Sequence, residues 1–431
     1  MAKKTKDSNL SIEERLEQAL IPNWDEPYKL PPNWCWVKLS IVCSLENGEK
    51  SSGKDLVYLD AKTLRGIAEL KTRDSGIIVN KDQKLILVDG ENSGEVFVVP
   101  YRGYMGSTFK ILNIANNTDE MYIRYFIDQN REKLRNNKVG SAIPHLNKDL
   151  FFNLELPFPP LNEQKRIVAH IEYFFAKLDE AKEKAQEVVY GFEARKAAIL
   201  HKAFSGELTA KWRAENGANI ANYVKRRFDE VAVIKSNLVD PAEYQQYPHV
   251  APDNIEKKTG VLLEYHTIAE DGVKSGKHRF YPGQILYSKI RPNLSKVVVV
   301  DFDGLCSADM YPIEAIGDTK CLWYFMLSEN FLEQASSAGS RSVLPKINQK
   351  ELSALTVTIP DSIEEQKEIA NIIDSLFAKE YQVKETAEAV IKQINTMKKA
   401  ILARAFRGEL GTNDPNEESA LELLKRILES K

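Results

Sequence analysis

The sequence predicts an α+β fold in which two mixed α/β domains are joined by two long antiparallel helices, a coiled-coil spacer with pseudo-twofold symmetry. Three features carry this expectation. Segments of the chain recur at a fixed offset, each recurrence has the apolar spacing of a long helix, and each follows a β-rich block whose own sequence is not repeated.

An internal repeat constrains architecture more than any single motif. GSAIPHLN at residues 140–147 returns as GSRSVLPKIN at 339–348. Glu163-Gln164-Lys165 returns as Glu365-Gln366-Lys367, and Phe175-Ala176-Lys177 as Phe377-Ala378-Lys379. Farther on, Ala198-Ile199-Leu200, Ala203-Phe204 and Gly206-Glu207-Leu208 return as Ala400-Ile401-Leu402, Ala405-Phe406 and Gly408-Glu409-Leu410, at a constant offset of 202.

Each copy reads as one long helix. Prolines precede it (Pro157, Pro159 and Pro160; Pro360), none interrupts it, and Gly206 or Gly408 suits the left-handed residue past its end. Asn162 and Ser362 are the candidate N-caps, and Glu365 stands at capping-box distance from Ser362. Apolar residues fall at heptad spacing: Ile167, Ile171, Phe174, Leu178, Ala181, Ala185, Val188, Phe192 and Ile199 in the first copy. The second carries Ile369, Ile373, Leu376, Val383, Ala387, Val390, Ile394, Met397 and Ile401.

One polar residue breaks each seam, Arg195 in the first and Glu380 in the second. Two copies related by a pseudo-twofold axis pack antiparallel, so Arg195 and Glu380 are expected to face one another as an ion pair. The same axis then sets Leu178 opposite Met397. Such a pair fixes register more than it stabilises, because desolvating two charges offsets most of their attraction. Ile171, Leu178, Arg195, Glu380, Ile394 and Met397 are thus the expected helix-pairing residues.

The blocks before the helices alternate short β-rich runs with glycine, asparagine and aspartate turns. In the first, strands are expected at 85–88 and 95–99 and a helix over 120–136; in the second, strands at 284–288 and 296–300 and a helix over 319–335. The division is therefore an N-terminal segment 1–21, a domain 22–160, a helix 161–208, a domain 219–360, a helix 361–410 and an amphipathic tail 411–431. Residues 11–20 and 419–428 read as short amphipathic helices, too short to be stable alone, that pack on each other or on a partner.

Length and composition agree. A chain of 431 residues exceeds one ordinary core, and 43% hydrophobic with 28% charged residues is usual for a globular protein. No apolar run approaches the roughly 20 residues that span a bilayer, and residues 1–9 are polar and lysine-bearing, so a cytoplasmic protein without membrane contact is expected. Cys35, Cys43, Cys306 and Cys321 are scattered, without metal-ligand spacing, and read as buried thiols. The net charge of -3 gives no sign of nucleic acid, so a DNA-binding reading must rest on local basic clusters.

Taken in order, the repeated helices, LPPNWCWVKL at 30–39, KAFSGELT at 202–209, YPHVAPDNIEKKTG at 247–260, GQILYSKIRPNLSKV at 283–297 and FDGLCSADMYP at 302–312 resemble the specificity subunit, HsdS, of type I restriction-modification systems. The resemblance covers nearly the whole chain. It implies two target recognition domains, each reading half of a split site in double-stranded DNA, with helices that set the spacer and dock two methyltransferase (modification) subunits. A restriction/translocase subunit joins them. It also implies a non-catalytic chain that binds no cofactor itself, S-adenosylmethionine, Mg and ATP belonging to the partner subunits. The sequence has no methyltransferase signature and no phosphate-binding loop.

A helix of about 42 residues spans on the order of 60 Å, enough for domains at its two ends to meet major-groove edges a helical turn or so apart. In the second domain the candidates for DNA contact are Lys274, Lys277, His278 and Arg279, with Lys289, Arg291 and Asn293 between two strands. Arginine pairs with guanine through two hydrogen bonds, asparagine with adenine, and lysine sits more often on phosphate. In the first domain Lys62, Arg65, Lys71 and Arg73 form one basic patch, and Tyr101, Arg102, Tyr104, Ser107 and Thr108 a glycine-rich loop. Ser141, His145 and Lys346 precede both helices and read as structural residues that could also meet phosphate.

Two other readings compete. Asp60 with Glu69 and Lys71 mimics the acid, then acid-x-lysine arrangement of Mg-dependent nucleases. A coiled-coil scaffold without DNA contact is compatible with the helices but leaves two large, divergent domains unexplained.

Overall fold

The computed structural model describes residues 11–22, 25–140, 144–339 and 345–430. Ser141 and residues 340–344 lie outside them. The chain divides into two units, Met1–Lys184 with Val390–Lys431, and Ala185–Ala389. The polypeptide thus returns to its first unit through the last long helix.

In the first unit, strand Glu155–Phe158 leads into the first long helix and pairs antiparallel with Cys35–Lys38. A four-stranded antiparallel sheet has the order Cys43–Glu46, Phe109–Ile114, Lys84–Leu87, Val96–Val98. Lys84–Leu87 lies inside it, which is why Leu85, Ile86 and Leu87 are all apolar and buried. A second sheet closes on itself, Lys50–Leu59, Thr72–Val79 and Gly103–Met105 each pairing with the other two.

The second unit has the same plan. Strand Thr356–Pro360 leads into the last long helix and pairs with Tyr223–Arg227. Its four-stranded sheet has the order Ala232–Ile234, Met310–Ala315, Ile285–Ser288, Val297–Val299. Register is shared between the units: Leu85 faces Ile111 and Phe97, and Leu286, 201 positions later, faces Pro312 and Val298. Likewise Ile77 faces Met105, and His278 faces Cys306. The other sheet differs, with five strands here, Leu238–Val239, Lys277–Phe280, Gly304–Cys306, Pro248–Val250 and His266–Thr267.

The helices expected over 120–136 and 319–335 are each two, Glu120–Gln129 with Arg131–Asn136 and Thr319–Met326 with Glu329–Ala338. In the second pair the Ser328 side chain accepts from the Phe331 amide and starts a new helix. The end of each long helix is plugged into the same place. Phe406 lies 5.0 Å from the Tyr122 ring and 5.4 Å from Phe126, and Phe204 lies 5.1 Å from Phe325. Phe406, fully buried, adds about 1.5–3 kcal/mol of apolar burial, and the half-buried Phe204 less.

The first repeat is not the single helix expected. It runs as Leu161–Tyr190 and Phe192–Phe204, whereas the second is unbroken over the 44 residues of Ile363–Phe406. Gly191 stands at the break, with φ -74 and ψ -7. The Arg195 guanidinium lies across it: Nη1 is 2.6 Å from where a Cβ on Gly191 would stand, and Nη2 donates to the Val188 carbonyl at 2.9 Å. The matching residue of the other helix is Gln393, and there the helix continues. Both repeats end on a left-handed glycine, Gly206 at φ +82 and Gly408 at φ +70.

The caps differ from expectation. The first helix starts directly after Pro160, so Asn162 lies inside its first turn. Ser362 Oγ accepts from the Glu365 amide at 3.2 Å, but the Glu365 carboxylate turns to Thr209 and Arg213, so only half a capping box forms.

The heptad seam is narrower than its sequence pattern. Ile171, Ile369, Ile373, Ala387 and Ile394 are buried, Leu178 is half-buried, and Met397 is 44% exposed, as are Phe174, Val383 and Val390 to similar degrees. A helix packed on one other helix covers a smaller arc than its apolar stripe, so the flank stays in solvent. Met397, expected opposite Leu178, is thus largely open to solvent.

The terminal helices, Ile12–Ala19 and Ala420–Glu429, meet within the first unit, where Arg15 donates to the Leu428 carbonyl. Among the described residues no helix is long and apolar enough to cross a membrane.

Candidate nucleic-acid interface

In the first unit the basic patch is one loop. Strand Lys50–Leu59 runs into a short helix, Ala61–Leu64, and the chain returns at Thr72, with Lys71 O accepting from Tyr58 N at 2.7 Å. Lys62, Arg65 and Lys71 lie on this excursion and Arg73 just past it, in strand Thr72–Val79; Lys62, Lys71 and Arg73 are open to solvent and Arg65 is drawn to Glu95, which Arg131 also meets at 3.0 Å. Arg73 stacks 3.5 Å from the centroid of Tyr58. Between the cations stand two exposed apolar side chains, Ile67 at 70% and Leu70 at 63%.

The glycine-rich loop lies beside the start of that excursion, because Gly106 N donates to Leu59 O at 3.0 Å. Tyr101, Arg102 and Ser107 are exposed and Thr108 is half-buried. Tyr104 is a correction: it is fully buried, and its hydroxyl donates to the carbonyls of Lys54 and Asp74 at 3.1 and 3.3 Å. A phenol whose hydroxyl finds main-chain partners belongs to the core.

In the second unit the candidates separate by depth. Lys274, Arg291 and Asn293 are exposed, and Lys289 is half-buried. Lys277 and His278 are buried, a second correction, since they sit within strand Lys277–Phe280 and not in a loop. Arg279 is held among three rings, its guanidinium 4.9 Å from Tyr281, 5.3 Å from Tyr244 and 5.7 Å from Tyr247. Arg291 has a left-handed backbone, φ +48, as has Ser295 at φ +44. The equivalent positions of the first unit, 201 residues earlier, are glycines, Gly90 at φ +106 and Gly94 at φ +94.

Asp60 is occupied by a local task. Its side chain accepts from the Thr63 amide at 2.8 Å and caps the short helix. Burial pushes its carboxyl up, yet the Thr63 hydrogen bonds together with the Lys62 amide and ammonium hold it below the ordinary aspartate value. Glu69 is exposed in the loop beyond, and among the described residues no three His, Cys, Asp or Glu side chains group to hold a metal ion.

Residues 33–189 and 221–393 match the family described as Type I restriction modification DNA specificity domain. The chain belongs to this family of specificity subunits. It is 34% identical to the Type I restriction enzyme EcoDI specificity subunit of Escherichia coli over 435 positions, covering 93% of this chain and 95% of that one. The MjaVIII specificity subunit of Methanocaldococcus jannaschii is 25% identical, with 85% and 92% covered. Two solved structures share the fold at 19% identity. One is the HsdS subunit of Thermoanaerobacter tengcongensis, with a TM-score of 0.57 over 90% of this chain and all of that one. The other comes from work on complex assembly and conformational transition of the type I R-M system, with a TM-score of 0.67 over 89% of this chain and all of that one.

In this specificity subunit the repeated Glu-Gln-Lys is a joint between strand, helix and tail. Gln164 Oε1 accepts from Asp119 N at 2.8 Å while Nε2 donates to Pro159 O at 2.9 Å; Gln366 does the same with Asp318 N and Pro360 O, both at 2.7 Å. Glu163, fully buried, accepts from Thr412 Oγ1 and Arg166, and Glu365, equally buried, from Thr209 Oγ1 and Arg213. Sequence reasoning registered these residues as a repeat and missed their task. The signal was there: a carboxylate and an amide that recur at a helix start are candidates for buried hydrogen bonding. The four cysteines are thiols, with Cys43, Cys306 and Cys321 buried.

Proposed function

We propose that each unit of this type I specificity subunit reads one half of a bipartite site in double-stranded DNA, and that the paired helices set the spacer and dock two modification subunits. A restriction/translocase subunit completes the complex in the cytoplasm. On this reading the chain is non-catalytic and binds no cofactor; S-adenosylmethionine, Mg and ATP belong to its partners. The observation that carries the proposal is the duplication itself. One scaffold occurs twice with the same strand register, yet its surface loops share little. A common frame with divergent loops suits two different half-sites.

The loops supply the matching chemistry. Lys62, Arg65, Lys71 and Arg73 can neutralise phosphates while Ile67 and Leu70 meet thymine methyl groups, and Arg291 and Asn293 can address guanine and adenine edges. Tyr101, Arg102, Ser107, Thr108, Lys274 and Arg279 flank them. A continuous helix of 44 residues rises about 66 Å, enough to set a spacer of more than one turn.

The test is single-molecule sequencing of modified bases in cells carrying the system. Replacing the first unit's loop block 44–139 with that of a relative should change one half-site and leave the other half and the spacer as they were. Loss of no motif when the gene is deleted, or a change in both halves after the exchange, overturns the reading.

A further inference from the structure

The shared strand register allows position-by-position comparison of the two units, and it isolates one difference in charge. Lys277, His278, Lys289 and Lys346 of the second unit stand where the first has Gly76, Ile77, Val88 and His145. Lys289 lies in the middle. Its N–H donates to Asp309 O at 3.0 Å, and its carbonyl accepts from Ile347 N at 2.9 Å, so it is clasped between the segments that carry Asp309 and Lys346. Its ammonium sits 5.1 Å from the Tyr311 ring centroid, and the Lys346 ammonium is 3.5 Å from Asp309 Oδ1. His278, on the neighbouring sheet, faces Cys306. It is 3% exposed, and its Nδ1 has no hydrogen-bond partner.

The Lys289 and Lys346 ammonium groups therefore share the half-buried end of these strands with the carboxylate of Asp309, while the Lys277 ammonium donates to Ser275 O and Oγ at 3.0 and 2.7 Å. Burial, and then the Lys346 ammonium, holds Lys289 below the ordinary lysine value, while Asp309 acts the other way. Burial lowers Lys277 too, and lowers His278, which the nearby Lys289 depresses further. Crowding like charges away from water costs stability unless an opposite charge joins them. The first unit builds the same strands without them, so the fold does not need them.

We propose that this cluster is an anion site that takes one backbone phosphate of the DNA, making the second unit an electrostatic anchor without equivalent at these positions of the first. The proposal rests on the DNA-reading function above. It separates these lysines from the base-reading side chains: a phosphate contact fixes position on the duplex and carries no sequence information.

The experiment uses the full chain assembled with its modification subunits. Binding of a cognate and a random-sequence duplex is measured against salt for wild type, K289Q/K346Q and K289R/K346R. Losing one phosphate contact reduces the slope of log affinity on log salt by about 0.9, so the affinity lost between 50 and 200 mM shrinks about 3.5-fold. K289Q/K346Q should show this and weaken both duplexes by a similar factor, and K289R/K346R should keep the wild-type slope. An unchanged slope, or a loss confined to the cognate duplex, overturns the proposal. Inorganic phosphate adds a second readout. A rise in the wild-type unfolding midpoint that K289Q/K346Q lacks, together with the slope change, shows a site open to free phosphate; the slope change alone restricts it to the DNA phosphodiester. If the wild-type complex binds neither duplex, the DNA-reading function fails, and the site then fails too unless phosphate still raises the midpoint.

Discussion

Arg195 donates through Nε to Glu380 Oε2 at 2.6 Å, joining the two polar interruptions of otherwise apolar seams. The pair sets the register of the helices where both belong to the second unit. The same register occurs in each unit through a repeated contact: Lys196 lies 5.2 Å from the Phe377 ring, and Lys398, 202 positions later, lies 4.7 Å from Phe175. Arg195 also fills the space beside Gly191, which yields a non-additive prediction. Gly191→Ala alone should bring no gain in stability, because its Cβ displaces the guanidinium from Glu380 and from the Val188 carbonyl. In an Arg195→Ala background the same change should stabilise by about 0.5–1 kcal/mol, the usual helix gain of alanine over glycine. Urea unfolding of the four proteins in this cycle measures the coupling; equal effects in both backgrounds contradict it.

The buried carboxylates should differ in what their partners are worth. Glu365 and Arg213 are both nearly inaccessible, their side chains 0% and 9% exposed, whereas the Arg166 that serves Glu163 is 37% exposed. Arg213→Met strands a carboxylate in the interior and should cost about 3–5 kcal/mol. Adding Glu365→Gln should recover most of this, because the amide carries no charge to desolvate. Arg166→Met should cost less than Arg213→Met, and urea midpoints rank the three.

These two cases show what the sequence made legible. Contacts made twice left a double record, so the pairs Glu163 with Glu365, Gln164 with Gln366 and Phe204 with Phe406 marked the helix ends by recurrence alone. Gly191 left none, because its dihedrals are nearly helical and the break depends on where the Arg195 guanidinium lies. Heptad spacing placed Met397, Val383 and Val390 in a seam, but spacing cannot say how many helices cover it. Tyr104, set among glycines, read as a loop residue, and only the two carbonyls that receive its hydroxyl place it in the core. The candidate interface was legible as composition and not as depth: Lys277 and His278 belong to a strand, while Lys62 and Arg73 stand in solvent.

Acid should loosen the C-terminal tail first. The hydrogen bond from Arg166, at 2.7 Å, outweighs burial and holds the Glu417 carboxyl below the ordinary glutamate value, tying the tail to the start of the first long helix. A carboxyl lowered on folding contributes its full stabilisation above its unfolded value, about 4.3, and loses it as pH falls through the folded one. Wild type should therefore lose more stability than Glu417→Gln between pH 5 and 3. Urea midpoints across that range check it, and parallel curves would refute it.

Arg291 offers the clearest separation of stability from recognition. Its left-handed backbone occupies the position that Gly90 takes in the first unit, and a side chain there costs about 1–2 kcal/mol. Strain of this kind persists where the side chain serves a purpose. Arg291→Gly removes it, less the roughly 0.5–1 kcal/mol that glycine's greater unfolded freedom takes back. The variant should therefore be as stable as wild type or slightly more so. If the guanidinium reads a base edge from this loop, the same variant should lose about 1–3 kcal/mol of discrimination at one base pair of one half-site, with the other half unaffected. Competition binding with single-pair substituted duplexes measures it. A variant that gains stability and keeps its full sequence preference would make Arg291 a strained bystander, and the reading surface of the second unit would then lie with Asn293 and Lys274 instead.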